Sequence, residues 1–221
     1  MSALDELIAK PGRWLSGDGE EGELVLSSRV RLARNLERRP FTHGASPEVL
    51  AEIRAEASAA LAACPSLAGA LSFEMDSLDE QDRGLLAERR LISREMAKNH
   101  RNRSLFVRRG EDLGVMVNEE DHLRLQSFEP GLALGAAFDR LMALDNELDD
   151  RLCYAYSDEL GYLTACPTNV GTGLRVSAMV HLPGLVHNKD IGQVLEGLRN
   201  IRLTVRGIYG EGSDIIGNFF Q

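Results

Sequence analysis

The apolar residues change period several times along the chain, and those changes divide it into elements. Leu4, Leu7 and Ile8 mark a short helix over residues 2–10, stopped by Pro11-Gly12. An acidic, glycine-rich stretch runs to Glu21, and residues 23–27 then read as a strand leading into Ser28-Arg29-Val30-Arg31. In extended chain, Arg29 and Arg31 share one face while Val30 and Leu32 share the other. Ser46-Pro47 is a helix start, serine as N-cap and proline in the first turn, and the alanine-rich helix runs to about residue 63. Residues 71–75 alternate as a strand. From Asp79 to about Lys98 the pattern is a charged amphipathic helix with Leu85, Leu86, Leu91 and Ile92 as its buried stripe. Residues 99–103 read as a loop with solvated basic side chains.

Strand patterns follow at 105–107 and 114–117, joined by a turn at 109–112. After the acidic turn Asn118-Glu119-Glu120-Asp121, Leu123 and Leu125 alternate with His122, Arg124 and Gln126. A polar face then carries an imidazole, a guanidinium and an amide. Pro130-Gly131 opens a helix to about residue 150 with Leu134, Phe138, Leu141, Met142 and Leu148 near helical spacing. A hairpin of residues 152–156 and 162–165 feeds the segment 166–175, and a strand runs on to about residue 182. A helix over about 188–200, a strand at 203–206 and a glycine-rich loop at 207–212 complete the chain. Helices interspersed with hairpins predict an α+β domain with a largely antiparallel sheet.

Composition narrows the function. The chain has 221 residues and a formal net charge of −9, which argues against a general nucleic-acid binder, since such proteins need a basic surface to displace counterions. No run of eighteen apolar residues occurs and the first residues lack the basic start of a secretory signal, so a cytoplasmic protein without membrane contact is expected. Three cysteines, Cys64, Cys153 and Cys166, form neither an even disulfide set nor a CxxC metal pair. Of 25 basic residues three are lysine, leaving 22 arginines. With so much alanine alongside, coding bias explains that total, and only the placement of particular arginines informs.

Their placement is informative. Cys166-Pro-Thr-Asn-Val-Gly-Thr-Gly-Leu-Arg175 puts a thiol, a proline, two glycines and an arginine in ten residues between strands. It has the equipment of an anion pocket, yet it is not a Walker-type phosphate loop, because no Lys-Ser/Thr follows the glycines. Arginines stand at several strand ends or loops: Arg29 with Arg31, Arg124, Arg175 and Arg206. Each has an ordinary reading as an exposed, separately paired cation, and the acids of 119–121 read equally as a solvated hairpin tip. Together they are what phosphoryl transfer from a nucleotide requires, cations around the phosphates and carboxylates for the acceptor.

Ser27-Ser-Arg-Val-Arg31, Asn118-Glu-Glu-Asp-His-Leu-Arg124, Cys166–Arg175 and the loop after Arg206 resemble, in order, the motifs of the ATP:guanidino phosphotransferases, the phosphagen kinase family. Leu32-Ala-Arg-Asn35 and Val205-Arg-Gly-Ile-Tyr-Gly-Glu-Gly212 are more similar to its bacterial branch, the protein arginine kinases. The resemblance implies a glutamine synthetase-like catalytic domain over residues 1–221, shortened at its C-terminal end, an antiparallel sheet flanked by helices. It implies ATP and Mg²⁺ as cofactors, the metal carried on phosphate oxygens and water with Glu119 nearby through water at most and no protein ligand set of its own. It implies a nucleotide site of Ser27, Ser28, Arg29, Val30, Arg31, Arg124, Arg175, Val176, Ser177, Ala178, Met179, Arg206, Gly207, Ile208, Tyr209, Gly210 and Glu211. Glu120 would orient the acceptor and take its proton, Glu211 would be its companion, and Cys166 would tune the acceptor as a thiolate. Partners implied are protein substrates with exposed arginines, an activator protein and a Clp protease in a stress response. Arg90 stands where the family often carries a histidine near the adenine. The alternatives are a kinase of a small guanidino metabolite and a weakly active nucleotide- or phosphoarginine-binding module.

Overall fold

A computed structural model describes residues 3–207 and 215–221. The elements in order are α1 (Ala3–Ala9), β1 (Val25–Arg34), α2 (Pro47–Ala62), β2 (Leu71–Glu74), α3 (Glu80–Glu88), α4 (Arg94–Lys98), β3 (Ser104–Val107), β4 (Leu113–Val117), β5 (Leu123–Pro130), α5 (Leu134–Asp149), β6 (Tyr156–Ser157), β7 (Gly161–Tyr162), β8 (Leu174–His181), α6 (Pro183–His187), α7 (Ile191–Asn200) and β9 (Phe219–Phe220). Among the described residues seven strands form one sheet in the order β2-β3-β4-β5-β1-β8-β9, every neighbouring pair antiparallel. β6 and β7 make a separate two-stranded hairpin.

The two sheet faces have different fates. One is apolar from β4 to β1: Val115, Val117, Leu123, Leu125, Val30 and Leu32 are all but fully buried against Ile53 and Leu61 of α2 and Leu141, Leu144 and Leu148 of α5. Burying a leucine-sized side chain contributes about 1.5–3 kcal/mol, so this cluster anchors the fold. A buried ion pair fixes α5 to the same face, Arg34 Nη2 to Asp145 Oδ2 at 2.7 Å with Nε to Oδ1 at 3.1 Å. The opposite face is apolar only at the β2-β3-β4 end, where Phe73, Leu105, Val107 and Met116 meet Leu7, Leu86, Leu91, Ile92 and Met96. Beyond β4 the same face turns largely polar and is covered only in part, Trp14 stacking on Phe128 of β5 with ring centroids 5.3 Å apart.

Several sequence expectations need correction. Residues 79–98 are two helices rather than one, because Ser93 Oγ accepts from Met96 N–H and starts α4, while Arg90 takes a left-handed φ of 60°. The break turns the carbonyls of Arg90 and Leu91 toward Gln126 Nε2, which donates to both. Pro130 ends β5 instead of opening α5, and Gly131 takes φ 62° with so little room that a Cβ would lie 2.2 Å from Glu20 O. The buried stripe of α5 is Ala137, Leu141, Leu144 and Leu148, with Phe138 exposed. Ile8 of α1 is also exposed. Residues 203–206 are not a strand: β8 takes Phe219 and Phe220 as its outer partner, and Arg206 exchanges two backbone hydrogen bonds with Gln221. The helix expected over 188–200 is preceded by α6 and begins at Ile191.

Candidate functional site

This polar face holds the arginines. In β1, alternation sends Val30 and Leu32 into the core and turns Arg29 and Arg31 to the opposite face. Register then decides their neighbours: Arg31 lies opposite Gln126 of β5 and Arg175 of β8, and Arg29 lies opposite Phe128 and Ser177. Arg124 stands two residues from Gln126 on the same face of β5, so it is diagonal to Arg31. A fifth cation comes from outside the sheet, Arg90 in the turn after α3. Its guanidinium lies 5.9 Å from the Phe128 ring centroid, and that of Arg29 lies 5.8 Å from it.

Five guanidiniums this close oppose one another. Burial, then the charges of Arg124, Arg175 and Arg90, bring the Arg31 pKa down to about 9. Burial, followed by Arg31, Arg90 and Arg124, lowers Arg29 well below its ordinary value. The Nε atoms of both are buried without a hydrogen-bond partner. Buried donors beside unneutralised charge are costly, so the arrangement fits a polyanion whose oxygens supply both missing terms. These residues therefore fit a nucleotide's phosphates.

The carboxylates arrive on the turn between β4 and β5. Asn118 makes that turn with φ 57°, its side-chain amide donating to the carbonyls of Leu50 and Asn102. Glu119 is spent on the arginine floor: Oε2 accepts from Arg124 Nη1 at 2.6 Å and from the Glu120 amide at 2.9 Å. Burial alone would raise its pKa, but Arg124, Ser93 and the Glu120 amide together hold it below the usual range. Arg124 in return is raised despite its burial. Glu120 is exposed, and partial burial with the charges of Asp121 and Glu119 pushes its carboxyl above the ordinary value. A raised carboxylate that no ion pair occupies among the described residues, beside a cation floor, is equipped to take a proton.

His122 is not on a polar face. It is fully buried, Nδ1 accepting from Leu36 N–H at 2.9 Å and Nε2 donating to Pro40 O at 2.9 Å. The turn needs this strap because β5 begins only at Leu123.

Asp121 joins the acidic turn to the segment before Cys166. Its Oδ1 accepts from Asn35 Nδ2 at 2.6 Å and from Ala165 N–H at 2.7 Å. Arg34 Nη1 donates to Thr172 O, and Gly173, at φ 66°, lies so close to β1 that a Cβ would sit 2.6 Å from Ala33 O. Thr168 links the ends of the segment, its Oγ1 3.0 Å from Cys166 Sγ and accepting from Arg175 Nη2 at 3.2 Å.

Arg31, Glu120, Arg124, Asn169, Gly173 and Arg175 thus line one small, open cleft. A second cleft shares Glu120 with it and is walled by Thr42, Glu95, Arg103, Glu119 and Ala165. Arg103 is half-buried there instead of solvated. Cys166 borders these clefts without being among the residues that line them. A third space, a groove open to solvent, follows the part of the β8 edge that β9 leaves unpaired. It touches Arg175, Val176, Ser177, Ala178, Arg206 and Gln221.

Other expected site residues lie apart. Val30 is core, and Ser28 Oγ is committed to the start of α5, donating to Gly131 O and accepting from Ala133 N–H. Ser27 and Met179 are buried opposite each other in the β1–β8 ladder, and Gly207 is buried beyond Arg206. Ile208, Tyr209, Gly210 and Glu211 lie outside the described residues. Three contributors are not among the expected site residues: Asp121 and Thr168 stand inside motifs that give them no role, and Arg90 is expected only near the adenine. Arg90 Nη2 donates to Gln221 Oε1 at 3.0 Å, and Gln221 Nε2 donates to Ser177 Oγ at 3.0 Å. The left-handed break at Arg90 has no signal in helical periodicity.

Comparison with known proteins gives this geometry a lineage. Residues 53–221 match the model of the ATP:guanido phosphotransferase C-terminal catalytic domain. A "Protein-arginine kinase" of Halothermothrix orenii is 42% identical over 224 residues, covering 100% of this chain and 63% of that protein. One of Desulforamulus reducens is 42% identical over 223 residues, covering 99% of the chain and 62% of the protein. The chain thus spans about six tenths of the length of these curated relatives. Among solved structures, the duplicated taurocyamine kinase of Schistosoma mansoni with bound transition-state analogue components superposes with a TM-score of 0.83. It is 25% identical, and the match covers 100% of this chain and 31% of that one. Lombricine kinase, 23% identical over 98% of this chain and 62% of its own, shares the fold with a TM-score of 0.75. With its antiparallel sheet and flanking helices, the chain belongs to the ATP:guanido phosphotransferase family.

Proposed function

We propose that this chain carries the catalytic site of a protein arginine kinase, which moves the γ-phosphate of ATP to a guanidino nitrogen of arginine side chains in proteins. The observation that carries the reading is the shared position of Glu120. It stands at the junction of a guanidinium floor with unpartnered buried donors and a second, carboxylate-walled cleft. The floor, Arg29, Arg31, Arg124 and Arg175, with Arg206 at its outer edge, suits the phosphates, because charge spread over several oxygens is matched by donors fixed in advance.

An arginine guanidinium has a pKa above about 12, so its nitrogen attacks only when aligned and relieved of a proton. Glu120 has the raised carboxyl and the position for that proton transfer, and Glu119, held by Arg124, keeps the cation floor aligned. Glu211 would be a second carboxylate for the acceptor and Cys166 a tuning thiol at its edge. Mg²⁺ supplies charge screening on the phosphate oxygens, which with water would hold it, since Glu119 is already engaged by Arg124. The apolar groove beside Val176–Ala178 is suited to the nucleoside. Marking of the modified proteins for a Clp-type protease, with an activator, in a stress response in the cytoplasm, completes the proposal. The relatives named protein-arginine kinase support the acceptor class. No helix among the described residues is long and apolar enough to cross a membrane.

The test is to incubate the chain with MgATP and an unfolded protein, with free arginine in parallel, and to map phosphate by mass spectrometry under conditions that preserve N–P bonds. Phosphate on protein arginines supports the proposal. Preference for the free amino acid would favour a metabolite kinase, the class named in the structural neighbours. Nucleotide binding with no transfer to either would leave a binding module.

A further inference from the structure

The second cleft holds a cation that the proposed reaction leaves unused. Arg103 lies on the wall of the cleft that ends at Glu120, among Glu95, Glu119 and Glu120. Its backbone is fixed. The Arg103 carbonyl accepts from Met75 N–H at 2.9 Å, and Asn102 before it takes φ 54° with its amide donating to Asp76 Oδ2 at 3.0 Å. The Asn102 carbonyl accepts from Asn118 Nδ2 at 2.8 Å, which ties this wall to the same turn that carries Glu119 and Glu120. The guanidinium itself is poorly committed. Its hydrogen bond is a long one, 3.5 Å to the Glu95 carbonyl, and it forms no ion pair with a carboxylate among the described residues. Glu95 is also engaged by Asn99 Nδ2. Burial lowers the Arg103 pKa while Glu119 and Glu95 favour its charge.

An acceptor that brought only a guanidinium into this cleft would satisfy Glu120 and be repelled by Arg103. One that also carried a carboxylate near its guanidino group would satisfy both, with charge-assisted hydrogen bonds in planar, bidentate geometry. We infer that Arg103 is a specificity-determining residue that binds a carboxylate of the acceptor. The inference rests on the reading that the acceptor's guanidino group is delivered to Glu120. The carboxylate has two sources, an acidic side chain beside the target arginine in a protein or the α-carboxylate of a free guanidino acid.

Calorimetric titration of the chain with two pairs of ligands separates these. One pair is acetyl-Glu-Arg-amide and acetyl-Gln-Arg-amide, and the other is N-acetylarginine and its amide. The wild type is expected to bind the carboxylate-bearing member of at least one pair about 10-fold tighter. Arg103→Gln should erase the difference to within about twofold, and Arg103→Lys should keep part of it. The pair that responds identifies the source. No preference in either pair, or an Arg103→Gln variant that weakens the uncharged ligands as much as the charged ones, would overturn the inference. Transfer from MgATP, measured on the same ligands, reports separately on the reaction. Preference without transfer keeps the role of Arg103 and removes the kinase reading, and transfer without preference does the reverse.

Discussion

The central strands β1, β5 and β8 and the helices α6 and α7 that follow them are built on opposite terms. Beneath the strands lies a face closed by α5, with Leu141, Leu144 and Leu148 fully buried and Arg34 locked to Asp145. Neither α6 nor α7 buries a single residue, and Val194 and Leu203 are exposed along the β8 groove. The closely packed part is also the electrostatically strained part, since Arg29 and Arg31 are held together with their Nε atoms unpartnered. Mutual repulsion among cations is tolerable only where the scaffold is stable enough to enforce it. Stability is concentrated under the cation floor, and the neighbouring groove is left open.

That contrast can be broken by substitution. The largest effect is expected at Arg34→Leu, which leaves Asp145 buried and unpaired and should cost about 3–5 kcal/mol in chemical denaturation. Leu141→Ala should follow at about 2–5 kcal/mol, with the spread set by how far α5 can settle. Arg31→Met should act in the other sense. It removes a desolvated, crowded cation, so the melting temperature should hold or rise, while ATP affinity measured by calorimetry should fall about 10- to 100-fold from the loss of charged hydrogen bonds. A variant that lost stability and kept its affinity would show that the floor is structural. Smallest of all, Leu198→Ala in α7 should change stability by no more than about 0.5 kcal/mol. A cost near that of Leu141→Ala would mean that α7 is as firmly packed as α5.

The pH dependence sharpens the same comparison on the acceptor side. Glu120 must be ionised to receive a proton, and partial burial with Asp121 and Glu119 raises its pKa. The rate should therefore fall as pH drops through a range above that of an ordinary carboxylate, about 4.3. A profile of log kcat/KM against pH checks this, and an acid limb at the ordinary value would place the proton acceptor elsewhere.

Alternation carries much of this in the sequence, because period two in residues 28–32 decides which side chains leave the core. It cannot say which strands become neighbours, so the pairing of Arg31 with Arg175 and its diagonal relation to Arg124 exist only in the register. His122 shows the same limit: the alternation that places Arg124 stops one residue short of it, in a turn where the imidazole is a buried strap. Arg90 and Arg103 are set by left-handed residues, at Arg90 itself and at Asn102, which interrupt periodicity and carry no pattern of their own. The helix over 79–98 is misread for that reason. Residues 203–206 look like a strand because their apolar content fits one, but strand formation also requires a paired neighbour: β8 takes β9 at Val180 and His181, and Arg206 bonds to Gln221 instead of to β8.

The central claim is that Glu120 joins a preformed phosphate floor to the acceptor and acts only in the transfer. Glu120→Gln should bind ATP within about twofold of the wild type and lose about 10²- to 10⁴-fold in phosphate transfer to arginine, with both quantities measured on the same preparation. Transfer that survives the substitution, or nucleotide affinity lost along with it, would contradict the account.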